Sequence, residues 1–190
     1  MTRPSPPRNF LSRPGVFLVG FMGSGKTSVG QALSQLLAWQ FQDLDTRIEA
    51  RQGCSIAQIF SNQGEVPFRQ IERHALLELI DEMRSYPTVA ALGGGAFVQA
   101  DNFSALERSG FPAVFLDAPV DELWRRCSVE AELRPLARDE NQFRQLYERR
   151  RGLYMKAAVT VDTTGKDVDK VAAEIASWLK ALQKERQREV

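Results

Sequence analysis

The stretch "GFMGSGKT" (residues 20–27) fits the pattern G-x-x-x-x-G-K-[ST]. It follows an apolar run, "GVFLVG" (15–20), and precedes "KTSVGQALSQLLA" (26–38), whose apolar residues have helical spacing. A glycine-rich turn between a strand and a helix offers backbone N–H groups and the positive end of a helix to a phosphate. We therefore predict a nucleotide-binding loop in which Lys26 reaches the terminal phosphates and Thr27 binds Mg²⁺. The predicted nucleotide-binding residues of the loop are Gly23, Ser24, Gly25, Lys26, Thr27 and Ser28.

Outward from this loop, short apolar runs alternate with helix-patterned segments. The predicted strands are 15–20, 39–45, 88–95, 112–119 and 158–164, and the longest predicted helices cover 64–85, 142–158 and 167–184. This alternation indicates βαβ units, a parallel sheet and one α/β domain. We place that domain at 15–184, after a disordered arm (1–14) and before a short tail (185–190). Residues 128–141 are polar, contain Pro135 and lack an apolar stripe, which predicts a mobile lid.

Composition limits the classes of partner. The 190 residues have a formal net charge of +1, with 43% hydrophobic and 26% charged residues. This balance gives no reason to expect nucleic acid or a membrane surface as a partner. The two cysteines, Cys54 and Cys127, lack metal-ligand spacing and suit a reducing cytoplasm. We expect a cytoplasmic, monomeric protein with small-molecule substrates.

Candidate acceptor-site residues follow the second and third predicted strands. In "FQDLDTRIE" (41–49), Asp43 and Asp45 are two positions apart, so a strand would project both to one face. Ligands of open parallel sheets bind at the carboxyl ends of strands. We predict that Asp43 binds Mg²⁺ through water and that Asp45 receives or orients an acceptor hydroxyl. The alternatives are that both are solvated loop residues, or that Asp45 simply caps a helix beginning at Thr46.

A run of three glycines and two arginines complete the predicted acceptor pocket. In "LGGGAF" (92–97) the conformational cost of Gly93, Gly94 and Gly95 is explained by backbone lying against a compact substrate. A tight turn is the alternative. Arg69 and Arg150 are suited to a substrate carboxylate, with Glu72 placed to orient Arg69. Surface exposure is the alternative for each arginine.

Taken together, these motifs resemble shikimate kinases. The matching segments, in family order, are "GFMGSGKTSVG", "DLD", "GEVPFRQIE", "LGGGAF", "LRPLA" and "RRRGLY", spanning about residues 15–180. The resemblance implies a three-layer α-β-α P-loop kinase with a lid and a five-stranded sheet in the order 2-3-1-4-5. It also implies transfer of the ATP γ-phosphate to the 3-hydroxyl of shikimate, with Mg²⁺ as cofactor.

The resemblance also assigns individual roles. Asp45 would contact the shikimate hydroxyls as the base, Arg69 and Arg150 would bind its carboxylate, and Gly94 would contact it through backbone. Arg134 of "LRPLA" would reach the phosphates from the lid, and Arg126 would stack on adenine. Within "RRR" (149–151), counting back from "GLY" selects Arg150. Two other functions stay open: a gluconate-type small-molecule kinase, and a non-catalytic sensor, which the presence of Lys26, Asp45 and Arg134 disfavours.

Overall fold

Five parallel strands form a single sheet at the centre of the molecule. The computed structural model describes residues 14–128 and 139–188. The strands are β1 (Gly15–Val19), β2 (Gln40–Asp43), β3 (Thr88–Ala91), β4 (Ala113–Asp117) and β5 (Val159–Asp162). Their order is β2-β3-β1-β4-β5, and every pairing is parallel. The predicted α/β fold and strand order are confirmed.

Helices cover both faces of this sheet. In the described residues they are α1 (Lys26–Leu37), α2 (Leu44–Gln52), α3 (Ile56–Gln63), α4 (Glu65–Met83), α5 (Ala100–Ser109), α6 (Val120–Ser128), α7 (Glu140–Tyr154) and α8 (Val168–Arg188). None of these described helices is long and apolar enough to cross a bilayer.

Two separate apolar clusters show that the architecture has three layers. Val16 and Leu18 of β1 belong to one cluster, built with α1 and α8. Phe17 and Val19 belong to the other, built with the remaining helices. Because successive strand residues face opposite sides, β1 contributes to both clusters and is buried throughout. Its carboxyl end, where the phosphate loop begins, is therefore held rigidly.

The prediction for the end of β2 is wrong by two residues. The strand stops at Asp43 and α2 begins at Leu44, so Asp45 lies in the first helical turn. The reason is local, because the Asp43 carboxylate accepts hydrogen bonds from the backbone N–H groups of Asp45 and Thr46, at 3.0 and 3.3 Å. Asp43 is thus the helix cap, and the alternative in which Asp45 caps the helix is also wrong.

Other boundaries also differ, and some predictions fall outside the described residues. Strand β3 ends at Ala91 rather than at 95. Helix α7 ends at Tyr154 rather than near 158, and α8 continues to Arg188 rather than ending at 184. Ser55 caps α3 with a capping box, and Gly53 separates α2 from α3. The predicted arm up to residue 13, most of the predicted lid (129–138), and Arg134 lie outside the described residues.

Candidate active site

The phosphate loop joins β1 to α1. Gly23 and Gly25 have φ values of 77° and 87°, a region that side chains with a Cβ rarely adopt. Nζ of Lys26 donates hydrogen bonds to the carbonyls of Gly20 and Phe21, at 3.0 and 2.9 Å. The ammonium is thereby tied to the loop at the positive end of α1, where a phosphate group is favoured.

The other loop residues differ in exposure. Ser24 is buried, whereas Ser28 is exposed in the first turn of α1. A Cβ on Gly23 would lie 2.9 Å from Sγ of Cys127 in α6. The loop therefore rests directly on α6.

Two hard oxygen donors meet beside the loop. The hydroxyl of Thr27 donates a 2.8 Å hydrogen bond to Oδ2 of Asp43, while Oδ1 of Asp43 caps α2. In the described part of the chain, no group of three or more His, Cys, Asp or Glu side chains could hold a metal ion. Mg²⁺ in nucleotide sites takes one or two protein oxygens together with phosphates and water, so this pair fits it.

Asp45 is a partly buried carboxylate near the loop with a strongly raised pKa. Burial raises its pKa from 3.8 to about 6, and the negative charge of Asp43 adds to the effect, while Lys26 opposes it. Arg69 also lowers the pKa by a smaller amount. A carboxylate with a pKa near 6 is well matched to proton transfer at neutral pH.

The three-glycine segment packs against the side chains of the pocket itself. A Cβ on Gly93 would overlap the carboxylate of Asp45, and one on Gly95 would overlap the guanidinium of Arg69. The close approach predicted for these glycines is therefore present, but the neighbouring groups are protein side chains. This packing alone accounts for Gly93 and Gly95.

Arg69 is held by carboxylates on both sides along α4. Glu72 accepts from its Nη1 at 2.9 Å, and Glu65 accepts from Nε and Nη2 at 3.1 and 3.0 Å. Burial raises the pKa of Glu72, and the adjacent Arg69 opposes that rise. The guanidinium is thus fixed in one orientation, with its side chain 20% exposed.

The structure distinguishes the three consecutive arginines of α7. Nη1 of Arg150 donates to the carbonyl of Gly94 at 3.3 Å. Arg149 instead bonds the carbonyl of Gln145 within its own helix, and Arg151 forms a 2.6 Å ion pair with Asp117. Arg150 is therefore the arginine that faces the glycine segment.

Arg126 lies at the other side of the phosphate loop. Its Nη1 donates to the carbonyl of Gly23 at 3.3 Å and to the hydroxyl of Thr163 at 3.2 Å. Nη2 donates to the carbonyl of Thr163 at 3.1 Å, and Nε to Glu122 at 3.0 Å. The guanidinium thus connects α6, the phosphate loop and the segment after β5.

Three contributing residues were missed from the sequence. Glu65 lies four positions before Arg69, and Tyr154 lies four positions after Arg150. Helical spacing alone places each pair on one face, which is a signal that was available. Thr163, which accepts from Arg126, is 37 positions away in sequence, and no local pattern points to it.

A parallel sheet ordered β2-β3-β1-β4-β5, with a glycine-rich loop and its lysine at the end of β1, defines a P-loop small-molecule kinase. The family model for shikimate kinase matches residues 22–180. The chain belongs to the shikimate kinase family, and it is an ATP-dependent kinase.

Individual relatives agree with this assignment. The shikimate kinase of Thermus thermophilus is 40% identical over 174 residues, covering 89% of this chain and 92% of the relative. That of Geobacter metallireducens is 38% identical over 167 residues, covering 86% and 90%. The solved structure of Acinetobacter baumannii shikimate kinase, in complex with shikimate, superposes with a TM-score of 0.82 at 35% identity, covering 90% and 96%.

A gluconokinase structure is also similar. The enzyme from Sinorhizobium meliloti has a TM-score of 0.63 at 18% identity, covering 96% of this chain and 99% of that one. This similarity shows a shared fold only.

Proposed function

We propose that this kinase transfers the γ-phosphate of ATP to the 3-hydroxyl of shikimate in the active site formed by Lys26, Asp45, Arg69 and Arg150. The observation that carries the proposal is the position of Asp45. Its partly buried carboxylate is within electrostatic reach of both Lys26 and Arg69. A base at Asp45 would therefore act near both a phosphate-binding group and a carboxylate-binding group.

The acceptor pocket suits a small hydroxy acid. Arg69, clamped by Glu65 and Glu72, and Arg150, on the carbonyl of Gly94, supply two guanidinium groups for one carboxylate. Guanidinium forks bind carboxylates through paired, charge-assisted hydrogen bonds. The backbone of Gly93–Gly95 forms the wall between them, because its glycines leave room for Asp45 and Arg69.

In the reaction, the 3-hydroxyl oxygen of shikimate forms a bond to the γ-phosphorus of ATP. The bond between that phosphorus and the β,γ-bridging oxygen breaks, and ADP leaves with its electron pair. The proton of the hydroxyl passes to the carboxylate of Asp45. Lys26 stabilises the negative charge on the transferring group, a contribution that is usually large in phosphoryl transfer.

The nucleotide side of the site is also assigned by proposal. Thr27 and Asp43 would hold Mg²⁺, the latter through water, and the ion would neutralise charge on the β- and γ-phosphates when bound. Arg126 would stack on adenine, and Arg134 would reach the phosphates. Gly23, Ser24, Gly25 and Ser28 would complete the nucleotide site.

We also propose that the enzyme acts as a monomer in the cytoplasm. In the described residues, Cys54 is a free thiol, which suits a reducing compartment.

The reaction is tested by measuring ADP release in the presence of ATP, Mg²⁺ and either shikimate or gluconate. Shikimate should give the larger kcat/KM by at least about 100-fold, since a site built for one set of hydroxyls leaves polar groups unpaired with another. Lys26→Ala, purified in parallel, controls for contaminating kinases and should be inactive. Preference for gluconate would contradict the proposal and support the gluconate-type alternative.

A further inference from the structure

Tyr154, the last residue of α7, contacts the pocket although the reaction above gives it no role. It is fully buried, with 0% of its surface exposed. Its hydroxyl donates a short hydrogen bond to the carbonyl of Gly94. Its ring stacks on Phe115, with centroids 5.3 Å apart and an interplanar angle of 28°, and on Phe97 at 6.3 Å and 24°. The packed ring therefore fixes the hydroxyl at the Gly94 carbonyl.

The same carbonyl receives Arg150. Nη1 of Arg150, one helical turn before Tyr154, lies 3.3 Å from the Gly94 oxygen. A carbonyl oxygen has two lone pairs, so it can accept both donors. Burial raises the pKa of Tyr154 to about 12, against the opposing effect of the neighbouring Arg150 guanidinium, so the hydroxyl stays protonated at neutral pH. The tyrosine and the arginine thus lie next to each other and share the Gly94 oxygen as acceptor.

We propose that Tyr154 is a positioning residue that sets the orientation of Arg150 toward the carboxylate of the acceptor. This inference rests on the proposed function. With the hydroxyl present, the Gly94 carbonyl has a second donor, and its 3.3 Å bond to Arg150 is long. Without it, the buried carbonyl depends on Arg150 alone, since an unpaired buried carbonyl is costly. The guanidinium then turns toward the backbone and away from the substrate.

A phenylalanine at this position distinguishes the contribution of the hydroxyl from that of the ring. Tyr154→Phe keeps the stacking on Phe97 and Phe115 and removes only the donor. Tyr147→Phe is the matched control: Tyr147 is also buried on α7, and its hydroxyl donates to the carbonyl of Ala118 at 3.2 Å. Both variants remove one buried tyrosine hydroxyl from the same helix, so a general loss of stability affects both.

The experiment measures KM for shikimate, KM for ATP and Tm in both variants. Tyr154→Phe should raise KM for shikimate about fivefold to tenfold, the effect of one lost hydrogen bond, with KM for ATP within twofold. Both variants should lower Tm by similar amounts. Tyr147→Phe should leave both KM values within twofold. A KM for shikimate that is unchanged in Tyr154→Phe, or raised equally in Tyr147→Phe, would overturn the proposal.

A double-mutant cycle with Arg150→Ala tests the route of the effect. If Tyr154 acts through Arg150, then Tyr154→Phe should change KM for shikimate less than twofold in the Arg150→Ala background. An increase as large as in the unmodified background would overturn this route. Failure of the proposed function is distinguishable, because the unmodified enzyme would then not turn over shikimate.

Discussion

At the residue scale, Asp45 carries the chemistry, and its environment has a measurable cost. Its carboxylate is partly buried beside Asp43, and its pKa rises from 3.8 to about 6. The folded protein therefore binds a proton at this site over a pH range where the unfolded chain has released it. Ionisation of Asp45 thus lowers stability while it prepares the base, a common trade-off at active sites.

We predict the pH dependence of both properties. Activity as kcat/KM for shikimate should fall about tenfold per pH unit below about pH 6, as the base becomes protonated. Stability changes with pH in the opposite direction. Because the folded pKa lies above the unfolded one, the free energy of unfolding should decrease as pH rises from about 4 to about 6.

Asp45→Asn tests this assignment. The variant should have very little activity, yet above pH 7 it should be more stable than the unmodified protein by on the order of 3 kcal/mol, the free energy equivalent to a pKa rise from 3.8 to about 6. Denaturant unfolding at pH 4 serves as the internal control, since the difference should largely disappear there. A variant that is less stable at every pH would rule out the burial of an ionised carboxylate.

The sequence pointed to the candidate residues here, but not to their geometry. The "DLD" spacing selected Asp43 and Asp45 as candidates, and the strand alternation used to pair them ends at Asp43. Strand alternation does not account for the hydrogen bonds by which the Asp43 side chain caps α2. Those bonds turn Asp45 inward by a helical turn rather than by strand alternation.

At the element scale, α4 acts as a rigid frame for one arginine. Glu65, Arg69 and Glu72 lie on one helical face, and Glu72 is only 1% exposed. Removing Arg69 alone would leave the Glu72 carboxylate buried without its partner, which is strongly destabilising. A test of binding must therefore separate the loss of the clamp from the loss of the substrate contact.

We predict that Arg69→Ala combined with Glu72→Gln raises KM for shikimate about 10- to 150-fold, the range for one charge-assisted contact of about 1.5–3 kcal/mol. KM for ATP should change less than threefold. Two variants serve as controls. Glu72→Gln alone measures the effect of changing the clamp, and Arg73→Ala removes a different arginine of α4. Equal increases for both substrates would place Arg69 outside the acceptor pocket.

At this scale, the sequence predicted the helices better than the contacts between elements. The apolar spacing predicted α4 closely, and counting from "GLY" selected Arg150 among three arginines. The glycine segment was interpreted less well: it was expected to lie against substrate, and it packs against Asp45 and Arg69. That contact joins residues nearly 50 and 26 positions apart, so only the tertiary structure shows it.

At the scale of the whole molecule, the site is formed where β1, β2 and β3 end. The neighbouring carboxyl ends bring together the phosphate loop, Asp43 and the glycine segment. The strand–helix alternation predicted a parallel sheet, but the strand order came from the family resemblance, because alternation alone allows several orders. Long-range partners such as Thr163 for Arg126 depend on that order.

The central claim is that this arrangement phosphorylates one hydroxyl of one acid. The most direct test is ³¹P–¹H correlation NMR of the product formed from ATP, Mg²⁺ and shikimate. The account predicts a single phosphomonoester, with phosphorus coupled to the proton on carbon 3, formed in equal amount to ADP. Phosphate on another hydroxyl, or ADP release without phosphorylated shikimate, would contradict it.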